Sequence, residues 1–290
     1  MEYVREKKES KPILAICYDF DKTLSPDDMQ AQGFIQDVYG DNISEFWAEV
    51  DELGIKNDMD SNLAYMFKMK QLSYGKLIFN RSTLEDYGSR VKLFPGVDTW
   101  FDRVNAIGEK HGVIVEHYII SSGLREMIEA TGPAKEGAFK RIYASSFLFD
   151  EAGVAIWPAQ VVNYTNKTQF LFRISKGVLD PNDPDVNKAF DPCELRVPFT
   201  DMVYIGDSAT DIPCMKLINS YGGHSIGVYD PDTCDKSKVI TMINENRIRY
   251  YSPADYSEGS ELEQLLEKII RRTQADHELK QIQSDCVNGQ

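Results

Sequence analysis

Pro12-Ile13-Leu14-Ala15-Ile16-Cys17-Tyr18 runs directly into Asp19-Phe20-Asp21-Lys22-Thr23-Leu24. The first part has the length and β-branched content of a strand buried on both faces. The second delivers two carboxylates where that strand ends. The chain then breaks at Ser25-Pro26-Asp27-Asp28, a loop or helix-start signal. In open α/β sheets, ligands bind beyond the carboxyl ends of the strands. Asp also favours strand ends for purely local reasons, so one Asp-x-Asp carries little by itself.

A second acidic strand end gives it weight. Met202-Val203-Tyr204-Ile205 reads as a strand and is followed by Gly206-Asp207-Ser208-Ala209-Thr210-Asp211. If the two strands are neighbours, four carboxylates converge. Like charges about 4 Å apart repel by about 4 kcal/mol at an effective dielectric near 20. Such a cluster calls for a cation, and clustered carboxylate oxygens suit hard Mg²⁺.

With both stretches in view, Asp19-Phe20-Asp21-Lys22-Thr23 resembles motif I of the haloacid dehalogenase (HAD) superfamily, D-x-D-x-T/V, and Gly206 to Asp211 resembles its motif IV. The resemblance extends over most of the chain. It implies a Rossmann-like three-layer α/β/α core with a parallel sheet, and the motif strands adjacent at its centre.

The rest of the chain follows an α/β alternation. Residues 27–92 differ: Ile35, Val38, Phe46, Trp47, Val50 and Leu53, then Leu63, Met66, Phe67, Met69 and Leu72, recur at helical spacings, with breaks at Gly40-Asp41-Asn42 and Lys56-Asn57-Asp58. This insertion is too long for an ordinary connection. By position it resembles a C1 cap, a lid whose closure excludes water. The expected division is a core of residues 1–26 and 93–290 and a helical cap of residues 27–92.

After Leu93-Phe94-Pro95-Gly96, a helix is expected over 98–110 and a second buried strand over 113–120. That strand ends in Ser121-Ser122-Gly123, and a helix follows over 124–130. A hydroxyl and backbone N–H groups at such a place can cradle a phosphate, although Ser is also a common N-cap. In the resemblance, Ser121 matches motif II and would bond a phosphoryl oxygen. A small hairpin over 141–157 is too short for a full C2 cap.

Thr165-Asn166-Lys167-Thr168 opens a helix reaching Gly177, with Asn166 as N-cap. The resemblance puts the motif III lysine at Lys167, with Lys176 as the rival. A lysine here would offset the carboxylates and neutralise a phosphoryl group. Residues 179–201 are interrupted by Pro181, Pro184, Pro192 and Pro198, which forbid a long regular element; a mobile loop is expected. Further strands are expected over 225–229 and 247–251, then an amphipathic helix over 260–274 and a polar, frayed tail to Gln290.

Composition excludes several classes. The 290 residues carry a net charge of −14, which argues against a nucleic-acid partner. The odd, scattered cysteines (Cys17, Cys193, Cys214, Cys234, Cys286) form no C-x-x-C pair and fit reduced thiols better than disulfides or zinc. No apolar run approaches the ~20 residues of a membrane span. The charged start lacks the apolar region of a signal peptide. A cytoplasmic protein is expected.

The resemblance implies a Mg²⁺-dependent phosphatase acting on a small phosphorylated metabolite through an aspartyl phosphate. Asp19 would be nucleophile and Asp21 general acid and base. Mg²⁺ would be held by Asp19, the Asp21 carbonyl and Asp207, with Asp211 direct or through water. Ser121, Ser122, Gly123 and Lys167 would hold the phosphoryl group. Dehalogenases of the superfamily lack the acid at the position of Asp21. The cap type and the Ser-Ser-Gly string resemble the phosphoserine phosphatase branch. Arg81, Arg90, Lys92 and Arg125 are candidates for a second anionic group on the substrate. A phosphomutase or phosphotransferase of the same fold, or a non-catalytic Mg²⁺-binding module, is the alternative.

Overall fold

A computed structural model describes residues 3–288 of the chain. The apolar run becomes β1 (Ile13–Tyr18), every residue of which is buried. It is flanked in parallel by β2 (Ile114–Leu124) and β5 (Met202–Gly206). β3 (Arg141–Phe149), β4 (Ala155–Gln160), β6 (His224–Tyr229) and β7 (Tyr250–Pro253) complete a seven-stranded sheet in the order β4-β3-β2-β1-β5-β6-β7. Among the named strands of the described residues, only the β3–β4 pair is antiparallel. This is the expected α/β sheet, with both acidic strand ends side by side at its centre.

Alternate residues of β1 feed two cores. Leu14, Ile16 and Tyr18 face one side with Trp100, Val104, Leu262 and Ile269. Ile13, Ala15 and Cys17 face the other with Phe170, Ile174, Met215 and Ile218. A period-two strand covered on both faces has no polar side, which explains the unbroken apolar run. Cys17 and Cys214 are buried free thiols.

Residues 27–92 are helical: Phe34–Val38, Ile43–Asn57, Ser61–Ser73 and Arg81–Ser89. The expected breaks are specific caps. Asn42 accepts from Glu45 N, and Asp58 adopts the left-handed conformation that ends its helix. These helices share one buried cluster with the sheet, through Phe34, Phe46, Met66 and Leu84. The hairpin is stitched to them: Ala155 N donates to Phe79 O at 2.9 Å and Arg81 N to Gly153 O at 3.1 Å.

Several expectations need correction. β2 continues through Ser121-Ser122-Gly123 to Leu124, and the next helix is Arg125–Glu129. β7 lies at Tyr250–Pro253 rather than 247–251. The last helix runs from Glu261 to Asn288, because pairs such as Arg272–Asp276 and Gln281–Asp285 support its exposed turns. Only Gly289 and Gln290 of the expected frayed tail, and Met1 and Glu2 of the charged start, lie outside the described residues.

The segment 179–201 is held by cations rather than left as a free loop. Arg173 donates to the carbonyls of Asp180, Pro181 and Asp183. Lys176 Nζ donates to the carbonyls of Val186 and Lys188 at 2.7 and 2.8 Å. Arg196 forms a bidentate pair with Glu116 at 2.6 and 2.7 Å. Lys176 is thereby occupied away from the acidic strand ends. Among the described residues, no helix is long and apolar enough to cross a membrane.

Candidate active site

Asp19 follows β1 directly, and its backbone N–H donates to Ile205 O of β5 at 2.9 Å. This bond extends the parallel ladder past the strand and locks the two acidic ends together. Phe20 N donates to Asp19 Oδ1 at 2.8 Å, which fixes the carboxylate. The next residues form a tight turn in which the N–H groups of Thr23, Leu24 and Ser25 all point to Phe20 O. Lys22 takes the left-handed conformation there, at φ 56°.

Asp207 leaves β5, and Asp211 ends one tight turn later on the 3₁₀ segment Ala209–Asp211. One oxygen of Asp19, Asp207 and Asp211 each falls within 4.8 Å of the others. Lys167 is the first residue of the helix Lys167–Lys176, and Asn166 occupies the N-cap position without a side-chain cap bond. The Asn166 side chain instead bonds Asn163 N and Val161 O. Lys167 Nζ lies 3.0 Å from Asp19 Oδ2 and 2.7 Å from Asp211 Oδ1.

Asp211 is saturated. Its Oδ1 accepts from Lys167 and, at 2.9 Å, from Tyr204 OH; its Oδ2 accepts from Ser208 N and Oγ at 3.3 and 3.2 Å. Gly206 makes room for it, since a methyl there would fall 2.5 Å from Asp211 Oδ2. Asp21 stands apart from this trio. Its Oδ1 accepts from Met29 N at 2.8 Å, so the segment after the turn orients it.

Ser121 Oγ is fully buried and accepts from Gly123 N at 3.0 Å. Asp19, Asp21, Asp207, Ser121 and Ser122 line one cleft of about 270 Å³. Lys167 and Asp211 sit behind it. The structure thus gathers the sequence-predicted residues, and it separates Lys176 from them.

The electrostatics follow from burial. Asp19 is pushed up to about 7 by burial and then by the Asp211 carboxylate, against the pull of Lys167. Asp207 is pushed up to about 8 by burial, then by Asp211 and Asp19. Asp21 is raised by burial and by Asp28 and Asp19. Lys167 is raised despite burial, because Asp19 and Asp211 hold its proton. With all three carboxyls ionised, Asp19, Asp207 and Asp211 facing one ammonium leave a two-charge excess, which a single divalent cation with oxygen preference would balance. The donor set therefore fits Mg²⁺.

The four basic candidates for a second anionic group do not line the cleft. Arg81 lies over the Phe149 ring near Glu129, Arg90 pairs with Asp86, and Arg125 pairs with Glu129. Lys92 bonds Gln32 through its backbone N–H. The lining cations are Lys22, paired with Asp28 at 2.9 Å, and Lys238. Ser61, Asn62 and Tyr164 also line it. Lys22 stood in the quoted motif, whereas Asn62, Tyr164 and Lys238 have no periodic or spacing signal.

The Borreliella burgdorferi genome encodes an uncharacterized protein 26% identical over 292 residues, covering 90% of this chain and 98% of that one. Among solved structures, a probable phosphoserine phosphatase from Vibrio cholerae superposes with a TM-score of 0.57 at 14% identity, over 94% of this chain and 68% of that one. A substrate-bound phosphoserine phosphatase superposes with a TM-score of 0.54 at 14% identity, over 90% of this chain and 99% of that one. At these identities the two superpositions establish a common fold. The family model for haloacid dehalogenase-like hydrolases matches residues 16–216, a span that holds the Asp19 turn, Ser121 of β2, Lys167 and the Asp207–Asp211 pair. The chain belongs to the haloacid dehalogenase-like hydrolase family.

Proposed function

We propose that this protein hydrolyses a small phosphomonoester through an aspartyl phosphate on Asp19, with Mg²⁺ as cofactor. The observation that carries the reading is the placement of Asp19. It is braced by Phe20 N–H and Lys167, it faces the cleft beside Asp207, and Asp21 is held separately by Met29 N–H.

Asp19 attacks phosphorus as the bond to the leaving oxygen breaks, and covalent catalysis divides one hard displacement into two. Asp21, whose environment keeps it protonated more readily than a free carboxyl, gives its proton to the departing alkoxide. It then takes a proton from water, whose oxygen attacks phosphorus and releases Asp19 and phosphate. Ser121 Oγ, oriented by the Gly123 N–H that donates to it, holds a phosphoryl oxygen, and Lys167 offsets the charge on Asp19 and Asp211. Asp19, the Asp21 carbonyl and Asp207 would hold Mg²⁺, with Asp211 acting through water because its own oxygens are saturated. The cation would supply charge neutralisation at the phosphoryl group. Residues 27–92 act as the cap over this cleft, and a reducing cytoplasm is the proposed setting.

The likeness to phosphoserine phosphatases makes phosphoserine the first ester to try. The lining residues Ser61, Asn62, Tyr164, Lys22 and Lys238 widen the panel to sugar phosphates and p-nitrophenyl phosphate. Phosphate release is measured with Mg²⁺, with EDTA and in Asp19→Asn. Mg²⁺-dependent release abolished in the variant supports the reading. No release from any ester by folded, Mg²⁺-binding protein overturns it. Transfer of the phosphoryl group to another position of the substrate would mark a mutase instead.

A further inference from the structure

Tyr65 is buried on the helix Ser61–Ser73, and its hydroxyl donates to Ser122 O at 2.7 Å. That carbonyl belongs to the same peptide unit as the Gly123 N–H. A trans peptide is planar, with its C=O and N–H pointing in opposite directions. Pulling the carbonyl toward Tyr65 therefore aims the N–H the other way. The Gly123 N–H indeed points to Ser121 Oγ, at 3.0 Å. The same glycine packs against Asp21: a methyl built on it would fall 3.0 Å from Asp21 Oδ2 and 2.3 Å from Met29 Cε. So this peptide stands between the cap helix on one side and the reacting groups on the other.

The helix that carries Tyr65 is itself docked on the core. Asn62 Nδ2 donates to Val162 O at 2.9 Å, and Asn163 Nδ2 donates to Asp60 Oδ2, the N-cap of that helix, at 2.7 Å. Phosphoryl binding needs donors that are already aimed, because reorganisation at the moment of reaction cancels their benefit.

We infer that Tyr65 is a positioning residue: by holding the Ser122 carbonyl it aims the Gly123 N–H at Ser121 Oγ, which fixes the hydroxyl that faces the phosphoryl group, so that docking of the cap helix completes the phosphate cradle. This rests on the phosphatase reading above. Tyr65 touches neither substrate nor phosphoryl oxygen in this role. A tyrosine in a cap helix thus links the docking of that helix to the aim of the Ser121 hydroxyl.

The test compares Tyr65→Phe with Tyr87→Phe. The Tyr87 hydroxyl bonds Asp37 at 2.5 Å, within residues 27–92 and away from the cleft lining. Turnover and inhibition by orthovanadate, a phosphoryl mimic, are measured for both variants and the parent. Tyr65→Phe is expected to lower kcat about tenfold, below the full loss of one oxyanion donor, and to weaken orthovanadate by a similar factor. KM and Mg²⁺ affinity stay near the parent values. Tyr87→Phe is expected to keep kcat within about twofold while losing comparable stability. If Tyr65→Phe keeps kcat and orthovanadate affinity, or raises KM alone, the inference is overturned. If the parent hydrolyses no ester, the phosphatase reading fails separately, and orthovanadate binding to parent and Tyr65→Phe decides: weaker binding by the variant supports the cradle, whereas equal or absent binding overturns it.

Discussion

Lys167 and Asp19 face each other at 3.0 Å with the lysine wholly withdrawn from water. A buried ammonium is tolerable only because Asp19 and Asp211 both pair with it. Removing it strands two buried carboxylates. Lys167→Met is therefore expected to lose at least about 100-fold in kcat and about 3–5 kcal/mol of stability near pH 8. The stability deficit shrinks toward pH 5, where stranded carboxylates can protonate. Urea unfolding at both pH values checks this, with Lys176→Met as comparison. Lys176 serves the carbonyls of Val186 and Lys188, so its variant is expected to hold kcat within about twofold. Equal activity losses in the two variants would contradict the assignment.

The raised carboxylates make the proposed Mg²⁺ binding and the stability of the metal-free protein depend on pH in opposite directions. Asp19 and Asp207 sit at about 7 and about 8, above their unfolded values. Between the unfolded and folded values the native metal-free protein holds more protons than the unfolded chain. Its stability from these groups is therefore present at low pH and falls as pH rises through the folded values. Mg²⁺ must displace the same protons. Its affinity is expected to climb from pH 6 to pH 8, by up to about tenfold per pH unit for each proton released. Titration calorimetry in buffers of different ionisation enthalpy counts those protons. A flat affinity across that range would show that the carboxylates titrate lower.

Much of this was visible in the chain, for a physical reason. β1 and β5 are buried on both faces, so their apolar runs are unbroken, and the polar residues that follow stand out as strand ends. Lys167 against Lys176 was separable only in space, because both lie at ends of one amphipathic helix. The anchoring of 179–201 depends on Arg173, Arg196 and Glu116, charged residues that sequence reading assigns to the surface. The cleft lining fared worst. Asn62, Tyr164 and Lys238 come from three distant segments, and no period or spacing unites them. Arg81, Arg90 and Arg125 had the right chemistry but spend it on Glu129, Asp86 and aromatic rings.

Two glycines give opposite readouts. Gly206→Ala places its methyl 2.5 Å from Asp211 Oδ2 and 2.6 Å from Asp211 Cγ. The displaced carboxylate loosens Lys167 and the proposed metal site, so Mg²⁺ affinity is expected to fall about tenfold or more. Gly88 lies in the helix Arg81–Ser89, where alanine ordinarily adds up to about 1 kcal/mol. Here its methyl would meet Met127 O at 2.2 Å and Met127 Cα at 2.5 Å. Backbone cannot step aside as a side-chain tip can, so Gly88→Ala is expected to destabilise by about 1–3 kcal/mol. Denaturant midpoints and Mg²⁺ titrations of both variants separate the two effects. A stabilised Gly88→Ala protein would mean that this helix does not pack on the Arg125–Glu129 helix.

Arg196 offers a test in which stability and activity part company. Its guanidinium is nearly inaccessible and grips Glu116 on both oxygens, while Glu6 lies 3.1 Å from Nη2. Glu116 is held below its usual carboxylate range: burial opposes this, but the Arg196 and Tyr118 hydrogen bonds outweigh it. A lowered carboxyl contributes stability above its unfolded value that disappears as pH falls through the folded one. Arg196→Met leaves Glu116 with Lys140 at 3.3 Å and the Tyr118 hydroxyl, and is expected to cost about 2–4 kcal/mol at pH 7. The pair lies at the end of β2 opposite Ser121, so kcat per folded molecule is expected to hold within about twofold. Freed of its anchor, the segment 179–195 becomes the first site of limited proteolysis, because exposed backbone held by few contacts opens first. Protease mapping of parent and variant at equal folded fraction measures this. First cleavage elsewhere, with 179–195 protected, would show that Arg173 and Lys176 hold the segment without Arg196.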